Sequence, residues 1–186
     1  MKRFCLSILL TMLMSMMGTN AFAYDIEVKN ADGVTIYYNF INDGTELAVT
    51  AKVRGSSGNS NAYQGDVVIP EEVTVEGKTN KVTTIGEYAF YSCSKLTSII
   101  IPNSVTTIEG YAFSGCKDLV SVTIPNSVTS IDYNVFWGCT SLTSIEIPNS
   151  MTSIPGSMFS GCTSLTSVII PNSVTSIKSY AFNNCI

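Results

Sequence analysis

Five cysteines are the residues best placed to do chemistry: Cys93, Cys116, Cys139, Cys162 and Cys185, each 23 residues after the last. Thiols at a fixed spacing could ligate a metal, form disulfides or serve as nucleophiles. None makes the C-x-x-C pair of a zinc site. The chain has no histidine, which removes the commonest general base, the commonest metal ligand and the side chain that titrates near neutral pH. A Ser-His-Asp or Cys-His set is therefore impossible. Carboxylates such as Glu109, Asp132 and Glu146 stand singly, form no pair at a repeated chemical spacing, and read as solvated faces. The chain is expected not to be an enzyme and to carry no cofactor or metal. The cysteines then read as a column of buried small hydrophobes, with disulfides between successive positions as the alternative.

The spacing of the thiols belongs to a larger pattern. Leu96–Cys116 reads LTSIIIPNSVTTIEGYAFSGC, and the pattern returns at Leu119–Cys139, Leu142–Cys162 and Leu165–Cys185, with a half copy at Val82–Cys93. A constant step of 23 residues is the mark of a solenoid, in which one unit cannot bury its apolar face alone and stacking does so. Ile99 and Ile101, and their equivalents Val122/Ile124, Ile145/Ile147 and Val168/Ile170, lie two apart and are always apolar. They mark the core side of a strand that Pro102, Pro125, Pro148 and Pro171 end. The asparagines that follow (Asn103, Asn126, Asn149, Asn172) are expected to form a polar ladder within a turn. A second short extended segment, Val-Thr-x-Ile, comes next. Phe90, Phe113, Phe136, Phe159 and Phe182 are expected to stack, one per layer, beside a single tight α or 3-10 turn.

The chain ahead of the repeats divides in two. Residues 1–23 have a basic start (Lys2, Arg3), an apolar run of 14 residues from Phe4 to Met17, and Ala21-Phe22-Ala23 as a small-x-small cleavage site. This is the pattern of a secretory signal peptide, and the run is shorter than the ~20 residues that span a bilayer. Its removal leaves eight Lys and Arg against 14 Asp and Glu, a net charge of −6, so nothing favours nucleic acid. The expected location is secreted, periplasmic or cell-surface, with no membrane span after cleavage. Residues 24–81 read as an N-terminal β cap, with strands over Asp25–Lys29, Val34–Ile41 and Glu46–Val53, a Gly55–Asn61 loop, and a hairpin at Gly77. Asp66–Pro70 matches the strand end of a repeat. An independent binding module is the alternative to a cap. Residues 82–186 are the repeats.

The unit C-x-x-L-x-x-[IV]-x-I-P-x-x-[VM]-T-x-I-x-x-x-x-F is carried in the second copy by Cys116, Leu119, Val122, Ile124, Pro125, Val128, Thr129, Ile131 and Phe136. It resembles the BspA-like leucine-rich repeats of bacterial surface proteins. The resemblance implies a curved repeat solenoid, β-rich, with parallel strands on its concave face, and adhesion to host or partner proteins; it carries no catalytic residues. Solenoid concave faces are extended binding surfaces. The strand positions pointing away from the core form two lanes there: Ser98, Ser121, Ser144 and Ser167, and Ile100, Thr123, Glu146 and Ile169. The expected partner is a protein, with host extracellular-matrix and cell-surface proteins as candidates. The alternative is a structural or truncated repeat protein with no ligand of its own, because the sequence stops at Ile186 directly after a repeat cysteine. A second surface, opposite the lanes, would hold Tyr88, Tyr111 and Tyr180 at one repeat position, with Trp137 beside Phe136.

Overall fold

A computed structural model describes residues 24–53 and 62–185. The expected signal peptide, the whole Gly55–Asn61 loop and Ile186 lie outside the described residues. Each full copy contributes one strand to each of two parallel arrays. The first array contains β4 (Gly65–Val68), β7 (Leu96–Ile100), β9 (Ser121–Thr123), β11 (Ser144–Glu146) and β13 (Ser167–Ile169). The second contains β6 (Lys78–Ile85), β8 (Thr107–Ile108), β10 (Ser130–Ile131), β12 (Ser153–Ile154) and β14 (Ser176–Ile177). Residues pair with their own equivalents: Ile99 opposes Val122, and Ile85 opposes Ile108, which opposes Ile131. Proline ends each strand of the first array, since it has no ladder donor.

The third side of each layer is not helical. A helix fails because two positions per layer hold left-handed backbone: Tyr88, Tyr111, Asn134, Ser157 and Tyr180 at the first, and Ser92, Gly115, Gly138, Gly161 and Asn184 at the second. The expected α or 3-10 turn is thus replaced by chained tight turns. Ala89, Tyr91 and Cys93 donate amides within the layer, to carbonyls three residues back. Tyr88, Phe90 and Ser92 donate instead to Gly110, Ala112 and Ser114 of the next layer, at 3.2, 2.8 and 2.7 Å. Left-handed residues turn alternate amides along the stack, so this side builds a ladder without a strand.

Inside, the phenylalanines and the cysteines meet their own kind in successive layers. The phenyl rings of Phe90, Phe113, Phe136, Phe159 and Phe182 stack at successive centroid separations of 5.0, 5.4, 5.7 and 5.4 Å. Cys93, Cys116, Cys139 and Cys162 are buried, and none of the described cysteines is in a disulfide. The thiols of Cys116, Cys139, Cys162 and Cys185 donate to the carbonyls of Phe90, Phe113, Phe136 and Phe159 of the preceding layer at 3.1–3.2 Å. Each of these carbonyls also accepts the amide of the cysteine three residues on, so the buried thiol is its second donor.

Residues 24–81 are built onto the stack rather than set beside it. β1 (Ile26–Lys29), β2 (Thr35–Ile41) and β3 (Glu46–Val49) form an antiparallel meander, and β5 (Glu72–Val75) pairs with β6 as a hairpin. β3 then pairs in parallel with β6, so β6, β8 and β10 of the second array continue through the meander as one seven-stranded sheet. The strand expected to run to Val53 stops at Val49. Tyr63 also joins the core. Its ring lies 4.4 Å from Phe90, and its hydroxyl accepts from the Tyr37 amide and donates to the Thr50 carbonyl. Tyr63, just ahead of β4, therefore extends the aromatic column, and Tyr37 of the meander meets its ring edge-on at 5.9 Å.

The asparagine ladder is corrected by the structure. All four asparagines are exposed, and a single link of that kind forms, from the Asn149 amide to Asn126 Oδ1 at 2.9 Å. The neighbouring serines point inward instead. Ser127 Oγ donates to the Val105 carbonyl at 2.7 Å, and Ser150 Oγ donates to Val128. The shorter hydroxyl fits where the amide does not.

Candidate functional site

Alternation along the first array decides which side chains can meet a partner. Ile99 and Ile101 point inward and are buried, which turns Ser98 and Ile100 outward. Parallel pairing then aligns the outward residues: Ser98 beside Ser121, Ile100 beside Thr123, Ser144 beside Ser167, and Glu146 beside Ile169. Ser121, Ser144, Ser167, Thr123 and Glu146 are exposed, Ser98 is half-buried, and Ile100 and Ile169 are 57% and 59% exposed. The register therefore assembles both lanes in each half of the array.

Two residues of β4 extend these lanes. β4 pairs with β7 so that Asp66 lies beside Ser98 and Val68 beside Ile100. Asp66 Oδ1 accepts from Ser98 Oγ at 2.7 Å and Thr97 Oγ1 at 2.8 Å. These bonds, that from Ser98 first, hold its carboxyl below the usual range. The sequence signal for both residues was present: matching Ile69-Pro70 to Ile101-Pro102 places Asp66 on Ser98. Val68, Ile100 and Val120 leave apolar surface exposed on this half, and Glu146 marks the other.

The tyrosine surface is divided. Tyr88 and Tyr111 stack face to face at 5.2 Å, and Tyr133, from the neighbouring repeat position, meets Tyr111 edge-on at 5.4 Å. Asn134 and Ser157 occupy the tyrosine position in the two following layers, so Tyr180, 72% exposed, stands apart. Trp137 is 47% exposed next to the buried Phe136. No group of three or more potential metal ligands converges among the described residues. The buried thiols cannot act as nucleophiles: burial pushes Cys93 and Cys162 up to about 12, and Cys116 and Cys139 well above the ordinary thiol value.

Residues 69–186 match the BspA type leucine rich repeat region, in six copies. The chain belongs to this family. A BspA-type repeat chain is generally protein-binding and is typically a scaffold without enzymatic activity, found on bacterial surfaces. Among solved structures it is similar to the leucine-rich repeat protein of T. pallidum (32% identity, TM-score 0.67, covering 81% of this chain and 64% of that one). A leucine-rich repeat protein of Bacteroides ovatus is 30% identical, with a TM-score of 0.66 over 81% of this chain and 43% of that one. A leucine rich cell surface protein of Faecalibacterium prausnitzii is 29% identical, with a TM-score of 0.57 over 86% of this chain and 46% of that one. The BspA-type chain thus spans between 43% and 64% of the length of these relatives. No curated protein matches it. No helix among the described residues is long and apolar enough to cross a membrane.

Proposed function

We propose that this chain is a secreted or surface-displayed adhesion module that holds a protein partner, a host matrix or cell-surface protein, on the outward lanes of the first array. The supporting observation is the register itself. It sets Asp66, Ser98 and Ser121 in one row and Val68, Ile100 and Thr123 in the next, all on rigid strands whose other face is core. A row of hydroxyls and one carboxylate beside a row of exposed aliphatic groups supplies polar and apolar contacts in parallel, as protein interfaces use. The interior side chains of the repeats are spent on packing against apolar equivalents in the next layer, which leaves the lanes as the variable surface.

The test is capture of purified extracellular-matrix and envelope proteins by the immobilised chain. A Thr123→Lys plus Glu146→Lys double substitution changes the middle of one lane without touching the core. Loss of capture in the double variant is expected; capture at wild-type strength would rule out these lanes as the site.

A further inference from the structure

The junction between meander and repeats holds a groove that neither the lanes nor the tyrosine pair uses. It lies on the outer face of the seven-stranded sheet and encloses about 550 Å³. Its floor is a single in-register row: Asn39 beside Ala48, Ala48 beside Thr84, and Thr84 beside Thr107. One wall is Glu87 and Glu109, where Glu109 Oε2 accepts the Glu87 amide at 2.8 Å and its second oxygen takes no hydrogen bond among the described residues. The repeat position that carries Glu109, Asp132, Pro155 and Lys178 carries Gly86 here. A Cβ on Gly86 would come within 2.9 Å of the Val49 carbonyl and 3.8 Å of Glu109 Oε2. A side chain at 86 would thus push meander and first layer apart, and it would stand in ordinary contact with the acidic wall.

We infer that this groove is a second binding site, for a neutral oligosaccharide. Three features of its chemistry point there. Threonine hydroxyls and an asparagine amide each donate and accept, which matches sugar hydroxyls, and a carboxylate accepts from adjacent ones. Among the described residues no Lys or Arg lines the groove, so sialylated and sulfated glycans find two carboxylates there and no counter-charge. The floor is the face of a continuous sheet whose backbone groups are already paired, so an added peptide strand has no edge to join. The volume falls within the range of small-ligand sites, roughly 300–1,000 Å³. Tyr88 follows Glu87 in the chain and stacks on Tyr111, which sets aromatic surface next to the acidic wall.

The experiment is binding of the full chain to an array of neutral, N-acetylated, sialylated and sulfated oligosaccharides. Hits are measured by saturation-transfer NMR, with a lysine-rich peptide as competitor. Binding to neutral or N-acetylated sugars is expected, with none to the acidic ones. The near-isosteric Thr84→Val plus Thr107→Val pair keeps β-branched residues on the strands and removes two hydroxyls. It should weaken binding at least about tenfold, with thermal unfolding unchanged. Glu109→Gln, which still accepts the Glu87 amide, should weaken it too. The Thr123→Lys plus Glu146→Lys variant should bind sugar as wild type does, which separates this site from the lanes. Any of four results overturns the inference: no neutral sugar bound, a preference for acidic glycans, displacement by the lysine-rich peptide with no sugar signal, or full binding by the double valine variant.

Discussion

The layer ending at Cys139 and the layer ending at Cys162 meet differently from every other pair. Elsewhere both arrays run on: β7 pairs with β9, β11 with β13, β8 with β10, and β12 with β14. Between these two layers neither does, since β9 and β11 fall in separate sheets, as do β10 and β12. One cause is a single residue. The amides of Glu109, Asp132 and Lys178 donate to Ile85, Ile108 and Ile154 of the preceding layer at 2.9–3.0 Å. The equivalent residue in the third copy is Pro155, which has no amide to give Ile131. In the first array the corresponding contact, from Thr143 to Val120, stretches to 3.5 Å, against 3.0 Å for Val120 to Thr97. The turn side stays closed. Asn134, Phe136 and Gly138 donate to Gly156, Met158 and Ser160 at 3.2, 2.9 and 2.8 Å. Even so, the phenyl spacing here is the widest of the column, 5.7 Å. Similar layers can therefore be joined with both strand ladders paired or with neither, and Pro155 removes the donor in the second.

If the turn side carries this joint, its aromatic contact should matter most. Phe136→Ala removes a fully buried ring at the joint and should cost about 3–5 kcal/mol. The urea midpoint reads the total. Hydrogen exchange should show residues 142–185 losing protection together while residues 82–116 keep theirs. Uniform loss along the chain would show the joint to be no weaker than its neighbours.

The thiols give a second and smaller handle. Cys93 and Cys162 are pushed up to about 12 from an ordinary value of 9.0 by burial. The unfolded chain then sheds those protons first as pH rises. Stability is complete below pH 9 and is lost between 9 and 12, by at most about 1.4 kcal/mol per pH unit for each thiol. A flat urea midpoint from pH 6 to about 8.5, falling above 9, is expected, with a shallower fall in Cys139→Ala. The joint adds an order to the labelling. Cys162 and Cys185 should react with a water-soluble reagent before Cys116 and Cys139, and simultaneous modification of all four would count against a separate C-terminal unit.

The stack was legible in the sequence because each position repeats its own type at one step: Phe on Phe, Cys on Cys, Ile on Ile. Ser98, Thr123 and Glu146 could be turned outward from alternation alone. The backbone was less legible. Left-handed residues replace a helical turn at Tyr88 and Tyr111, and tyrosine gives no hint of that, whereas Asn134 at the equivalent place and Gly115 at the second left-handed position do. The asparagine ladder failed because constant identity was taken for inward packing, and Ser127 and Ser150 occupy the turn instead. The saccharide groove was illegible, since Asn39 and Thr107 come together through the β2–β3–β6–β8 pairing, which no local pattern encodes. Pro155 stood in plain view, but its meaning needed the ladder it interrupts.

Restoring that ladder tests the comparison directly. Pro155→Glu gives the third copy the side chain of Glu109 and returns an amide opposite Ile131. One hydrogen bond is worth about 0.5–1.5 kcal/mol, offset by the greater freedom of the unfolded chain without proline. A net rise of up to about 1 kcal/mol is expected, together with slow exchange of the new amide. A fast-exchanging residue 155 would mean that something besides the missing donor holds the sheets apart.

The smallest effect isolates one cross-joint contact outside the turn side, which stands beside the bonds from Ser150 Oγ to Val128 and from the Ser141 amide to Lys117. Asn126 Oδ1 accepts the Asn149 amide across the joint at 2.9 Å, whereas the exposed Asn103 side chain makes no such bond among the described residues. Asn126→Ala should therefore cost about 0.5–1 kcal/mol and Asn103→Ala less than about 0.5, although the two asparagines are the same residue in the same turn. The difference should also depend on the joint. In a Pro155→Glu background, where the second array closes beside it, the Asn126 bond carries a smaller share of the contact, and the gap between the two alanine variants should narrow. An unchanged gap would mean that the turn and the sheet respond to the joint independently, and that the opening is confined to the strands.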